Sequence, residues 1–259
     1  FDSYTLNNSG FQSNGFLVKY DTLGNVLWAK NINGNNDDKS LSATTDINGN
    51  IYITGYFKSD TLHVENITLP NSFIGFATST PFVAKFDSVG NAIWAKRGIV
   101  NLWSGGGGGN SITTDSVGNA YVTGSFYSNA VVFDTISLTN PQLYYENIFI
   151  IKYNRMGDVM WAKSIGGTDK DCGNNISVNR VGHVSVLGTF NSPFIVFDND
   201  TLTRISGMNN FIAQYDSSGI ELWAKNFGRN NVDVGTDVKT DASGNSFITG
   251  YFNSPVIVF

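Results

Sequence analysis

Cysteine is almost absent from this chain. Its single copy, Cys172, cannot form an internal disulfide, so the core must hold the fold without staples. That says little about compartment, because a large β core does not need them. Histidine is nearly as scarce: His63 and His183 are the only two. Neither stands with a cysteine or carboxylate cluster at metal-ligand spacing, which argues against a metal centre or a histidine-based catalytic group. Charge is low, at 14%, with a net of −5 and a pI near 4.9. There is no basic footprint for nucleic acid and no Lys/Arg cluster for an acidic membrane surface. No run of 18 apolar residues exists, which excludes a membrane-spanning helix, and no signal-peptide pattern opens the chain. The first residue is Phe1 rather than methionine, as expected of a processed product or an excerpt.

Glycine, aromatic residues and repetition are abundant. The chain is 41% hydrophobic with 28 glycines, enough apolar material for a large core. One phrase recurs four times: F-[VIL]-[AVI]-K-[YF]-D-x-x-G-N-x-x-W-A-K, a link, then T-x-D-x-x-G-N-x-Y-[IV]-T-G-x-F. It places tryptophans at Trp28, Trp94, Trp161 and Trp223, spaced by 66, 67 and 62 residues. Such a period marks a propeller or solenoid array, whose units cannot bury their faces alone.

D-x-x-G-N or a close variant occurs eight times, at Asp21, Asp46, Asp87, Asp115, Asn154, Asn179, Asp216 and Asp241. The opening Asp or Asn can bond its own downstream backbone, and the glycine supplies the left-handed residue of a type I turn with a bulge. These are hairpin tips. A calcium loop needs several oxygen side chains at alternate positions, and each tip has one, so calcium is a secondary reading. Two hairpins per repeat, ATTD with IYITGYF and FVAKFD with AIWAK, make a four-stranded antiparallel blade. The fold expected is therefore all-β, a propeller of four repeats of about 65 residues, with units 1–63, 64–132, 133–196 and 197–259. An insert seen as LHVENITL, VVFDTISL and IVFDNDTL reads as an extra short hairpin. The chain begins and ends inside such an insert, so strands near Phe16 could pair with the hairpin at Asp241 to close a ring of four, or the repeats could belong to a larger ring.

In a meander all eight tips share one face, and the opposite face collects inserts and links. Loops on a rigid scaffold usually carry function. The candidates for a polar binding patch are Asp37, Asp38, Lys39, Asp169, Lys170, Asp171, Arg229 and Asp233, with Trp103 beside the glycine run 105–109 as a sugar-stacking aromatic. The WAK tryptophans and the T-G-x-F aromatics Phe57, Phe126, Phe190 and Phe252 repeat at fixed strand positions, which assigns them to the core.

Written out, the repeat resembles the SBBP β-propeller repeats of large secreted proteins of Bacteroidota. The resemblance covers nearly the whole chain and implies a secreted or cell-surface protein exported by type IX secretion, without implying an activity. VLGTF at Val186 and the tips at Asn154 and Asn179 depart from the pattern. It further implies O-glycosylation at Asp-Ser/Thr followed by an aliphatic residue, hence at Thr22, Thr61, Ser88, Ser116, Thr135 and Thr201, all in expected turns. The function expected is a non-catalytic scaffold that binds a protein or glycan, with secretion machinery as a further partner and without nucleic acid or membrane insertion. A polysaccharide hydrolase or lyase using loop-face carboxylates is the alternative.

Overall fold

The structure, a computed structural model, describes residues 4–8, 12–76, 78–101, 105–229 and 232–259. These residues form strands and turns, with no helix among them. In chain order the strands are β1 (Gly15–Tyr20), β2 (Val26–Asn33), β3 (Asp38–Thr45), β4 (Ile51–Phe57), β5 (Thr61–Val64), β6 (Ile67–Pro70), β7 (Thr80–Phe86) and β8 (Ala92–Arg97). They continue as β9 (Ile99–Val100), β10 (Gly107–Thr114), β11 (Ala120–Phe126), β12 (Ala130–Phe133), β13 (Ile136–Thr139), β14 (Asn147–Tyr153), β15 (Val159–Ile165) and β16 (Asp171–Val178). The last are β17 (Val184–Phe190), β18 (Phe194–Val196), β19 (Thr201–Thr203), β20 (Asn209–Tyr215), β21 (Glu221–Phe227), β22 (Asp233–Thr240) and β23 (Ser246–Phe252).

Three sheets repeat one design: β3-β4-β7-β8, β10-β11-β14-β15 and β16-β17-β20-β21, each an antiparallel meander. These are propeller blades. Successive blades meet through their innermost strands, β3 on β10, β10 on β16 and β16 on β22. The apolar clusters lie between blades: Tyr52, Val83 and Trp94 of one blade pack with Val122, Phe149 and Tyr153 of the next.

The tips obey their local chemistry. All eight glycines take φ between 77° and 90°. At Asp87, Oδ1 accepts the N–H groups of Val89 and Asn91 at 3.0 and 2.8 Å, and Oδ2 accepts the Asn91 side-chain amide at 2.8 Å. Asn154 and Asp158 exchange the two residue types yet keep the contact, with Asn154 Nδ2 donating to Asp158 Oδ2 at 3.0 Å.

The tips at Asn154 and Asp216 also close joints between blades. Lys85 Nζ and Trp94 Nε1 both donate to the Arg155 carbonyl of the next blade, at 3.1 and 3.2 Å. Lys152 and Trp161 grip the Ser217 carbonyl in the same way, at 2.8 and 3.2 Å. The indole ring then rests on the tip glycine. A Cβ on Gly157 would lie 2.9 Å from the Trp94 ring, whereas one on Gly24 would meet nothing within 4 Å. Both glycines are left-handed, at φ 89° and 86°. Gly24→Ala should therefore cost only backbone strain, about 1–2 kcal/mol. Gly157→Ala should cost at least twice as much because a buried ring must also move, a contrast that paired urea titrations would read.

The inserts form the hairpins β5-β6, β12-β13 and β18-β19. Rather than sitting only on the loop face, two of them extend a neighbouring blade at its outer edge: β5 pairs with β2, and β12 with β9 just beyond β8. Their turn acids tie the same seam. Glu65 and Asp134 hold positive φ, 54° and 50°, while Glu65 pairs with Lys30 of the preceding WAK phrase and Asp134 with Lys96 at 3.3 Å. Covering the outermost strands in this way blunts edges that would otherwise be open to pairing.

Among the described residues no strand pairing closes a ring of four. Among the described residues β1 pairs only with β2 within its half-blade, and β23 pairs only with β22. Lacking a third strand beside it, β23 exposes Phe252 to 55%, while its counterparts Phe57, Phe126 and Phe190 are at 0%. Phe252 is thus not a core residue here, contrary to its place in the motif.

Candidate functional site

A meander with all tips at one end puts the starts of β3, β10, β16 and β22 at the other, and the link carboxylates fall there. Asp38, Asp171 and Asp233 are the first residues of β3, β16 and β22, not loop residues, and all three are fully buried. Each carboxylate latches a serine 21 positions on. Asp171 accepts the Ser192 hydroxyl at 2.7 Å and the N–H groups of Ser192, Asn191 and Gly167. Asp38 does the same with Ser59 and Lys58, and Asp233 with Ser254, Asn253 and Arg229. Burial pushes Asp38 and Asp171 above the usual carboxylate range despite the serine bonds. At Asp233 burial is again the largest single influence, but the bonds from Ser254, Arg229 and Asn253 together outweigh it and hold the group low. Acceptors consumed in this way present nothing to a ligand. These three residues close the fold and do not line a polar patch.

The remaining candidates scatter. Asp37 Oδ1 accepts the Ser13 N–H at 3.0 Å, and that bond chiefly holds its carboxyl below the usual range. Asp169 accepts the Lys170 N–H at 2.7 Å, with the Lys170 side chain exposed. Arg229 is exposed and far along the chain from these, next to Asp233. Lys39 is on β3, its ammonium 5.8 Å from the Tyr56 ring centre. Trp103 lies outside the described residues. The structure therefore brings no continuous patch together from the candidates it describes.

What it does bring together is a cleft between the first two complete blades, at the loop face. In the second of the four inner strands Gly107 replaces the latching aspartate, and Gly108 stands where the other inner strands carry Lys39, Cys172 and Val234. Ser128, freed of an aspartate, donates to the Ala130 carbonyl at 2.8 Å, while the Gly107 N–H keeps the backbone bond of its counterparts Asp38 and Asp171, to the Ser79 carbonyl at 2.9 Å. The missing side chains leave a space of about 270 Å³ lined by Tyr56, Lys58, Ser79, Asn110, Ser125, Tyr127 and Glu146 as well as the two glycines. The walls are strand or strand-adjacent backbone. Tyr127 Oη lies 3.2 Å from Ser79 Oγ, and Asn110 Nδ2 donates across to the Gly173 carbonyl of the next blade at 2.9 Å. No ion pair joins Lys58 to Glu146 among the described residues. The sequence sign of this cleft is the glycine run 105–109, placed among the loop-face links although 107–109 are strand.

Cys172 starts along β16 beside Asn110, and burial pushes its thiol up to about 11, with Glu146 and Asp171 adding to the shift. It is a packed thiol at neutral pH, not a nucleophile. His63 is exposed on β5, and the backbone N–H of His183 donates to Asn179 at a tip. No three His, Cys, Asp or Glu side chains group as cation ligands among the described residues. Of the glycosylation candidates, Thr22, Ser88, Ser116 and Thr135 are exposed in turns. Thr61 and Thr201 instead open β5 and β19, with Thr61 half-buried.

Residues 108–129, which span β10, β11 and the cleft wall, match the family model described as SBBP, a beta-propeller repeat. An uncharacterized WD repeat-containing protein of Acanthamoeba polyphaga mimivirus is 27% identical over 94% of this chain, which spans 21% of that protein's length. The chain thus corresponds to about a fifth of the curated relative it matches. A solved protein of unknown function from Bacteroides caccae aligns over 90% of this chain and 64% of its own, with 11% identity and a TM-score of 0.42.

Proposed function

We propose that this β-propeller repeat protein acts as a non-catalytic binding scaffold, presenting the face opposite its tips to a protein or glycan partner. The observation that carries the reading is the cleft at Gly107 and Gly108. Blades built by one rule depart from it at the loop face, and the departure leaves polar space between two of them. Concave space with a few convergent polar groups is the usual form of a ligand site. The repeat's resemblance to secreted and surface proteins of Bacteroidota supports export by type IX machinery, and the four candidate Ser/Thr positions exposed in turns support glycosylation there. The hydrolase reading is weaker. Glycoside cleavage uses two carboxyl groups flanking the bond, and the cleft offers Glu146 alone.

A panel of immobilised polysaccharides and extracellular-matrix proteins, probed with the full chain, tests this. Saturable binding of at least one member without release of new reducing ends is expected. Release of reducing ends would sink the scaffold reading in favour of an enzyme, and silence across the panel would sink it outright.

A further inference from the structure

We infer that the cleft between the first two complete blades holds one neutral saccharide ring, a ligand class that deepens the scaffold reading and rests on it. Size comes first. At about 270 Å³ the space falls just under the roughly 300–1,000 Å³ of pockets for drug-sized ligands, so it suits one ring and not an extended oligomer or a folded epitope.

Charge comes second. Lys58 supplies a cation and Glu146 an anion to the same walls, and the two do not neutralise each other in a direct pair. An anionic or cationic ligand would gain one attraction and suffer one repulsion. A neutral polyol meets a strong donor and a strong acceptor in one lining, and charge-assisted hydrogen bonds are about twice as strong as neutral ones.

The remaining polar atoms extend that complement. Ser79 and Ser125 bring hydroxyls that both donate and accept. Asn110 spends its amide N–H groups on the Gly173 carbonyl and the Cys172 sulfur, which fixes the side chain and leaves its carbonyl oxygen as an acceptor. Tyr56 and Tyr127, from adjacent blades, are half-buried aromatics in the same lining, and an aromatic body with a polar handle suits a ligand that has C–H faces and hydroxyl edges. The Tyr127 hydroxyl is already oriented by Ser79 at 3.2 Å, so little order is lost on binding.

The glycines make the site removable without replacing any of those groups. Gly108 is strand residue and has no left-handed φ, and a Cβ there would lie 3.3 Å from the Tyr56 ring. Gly108→Val installs the residue found at the matching Val234 and fills the space.

The test is ligand-observed NMR and calorimetry on the full chain with glucose, galactose, N-acetylglucosamine, glucuronate and glucosamine. A neutral sugar should bind with Kd of about 1 mM, the scale of ligand efficiency for so few atoms, and at least fivefold more tightly than either charged sugar. Gly108→Val should weaken it at least tenfold. Should that variant misfold by circular dichroism, Lys58→Met with Glu146→Gln provides the second measurement and the same loss is expected. Preference for glucuronate or glucosamine would overturn the ligand class. Binding untouched by a folded Gly108→Val would overturn the location, as would polysaccharide or protein binding in the wider panel with no monosaccharide bound. In both cases the scaffold reading stands, since only a silent panel or released reducing ends count against it.

Discussion

Trp94→Ala should destabilise the fold by about 3–5 kcal/mol, the range for deleting a large buried aromatic side chain. The indole is buried, sits edge-on to Tyr52 and tilted against Tyr153, each 6.0 Å away, and donates to the Arg155 carbonyl. Its loss therefore removes apolar contact from both blades and leaves the Arg155 carbonyl with Lys85 as its remaining donor. Trp223 occupies the same place in the phrase, yet it is only half-buried and its N–H goes to Gln214 of its own blade at 3.2 Å. Trp223→Ala should cost less than half as much. Urea titrations of the two variants give the comparison. Equal losses would show that the tryptophan acts within its own blade and that the grip on the next one contributes little.

Asp171→Ala should be nearly as damaging, at about 3 kcal/mol or more. It strips the acceptor from the Ser192 hydroxyl and from three backbone N–H groups in a site with no solvent exposure, and unsatisfied buried donors carry their full desolvation cost. Asp171→Asn keeps one oxygen and should cost less. The two differ in pH dependence as well. Because burial raises the folded carboxyl's pKa, the folded state holds the proton more tightly than the unfolded chain does. The stabilisation from that proton is complete below the unfolded value of about 3.9 and is lost as pH rises through the folded value. The advantage of the natural protein over Asp171→Asn should thus widen as pH falls from 7 toward 4. A gap that narrows over that interval would contradict the raised value.

The parts of this molecule that were legible in the sequence are those governed by neighbours a few residues apart. A tip such as Asp87 to Asn91 bonds across two and four positions, so its residue types declare the turn wherever it occurs. The blade meander followed from two such tips per repeat. The aspartate latch was harder, because Asp38 and Ser59 meet only when β3 and β4 pair in register. A signal was nevertheless present: Asp38, Asp171 and Asp233 each precede a serine by 21 residues, and that recurrence marks a structural pair instead of a binding carboxylate. The cleft could not be read in this way, since it is made by side chains that are missing at Gly107 and Gly108, and a run of glycines looks the same whether it is a mobile loop or the floor of a site. Gln214 shows a third kind of silence. It replaces the joint lysine where Ser185 replaces the joint tyrosine, and the two bond with Ser246 across the seam, a paired exchange that no single position announces.

The joints described above have two unlike sides. One blade offers a lysine and a tryptophan, and the next offers a tip carbonyl and a glycine, like links that each carry a hook and an eye. A gene duplication that copies a whole number of repeats sets a hook against an eye at every new seam, so the lengthened protein needs no interface it did not already have. A duplication out of phase by half a repeat sets like against like and leaves a seam that cannot hold. Chain length in such proteins can therefore drift over evolution in steps of one blade while the geometry of every contact is inherited intact.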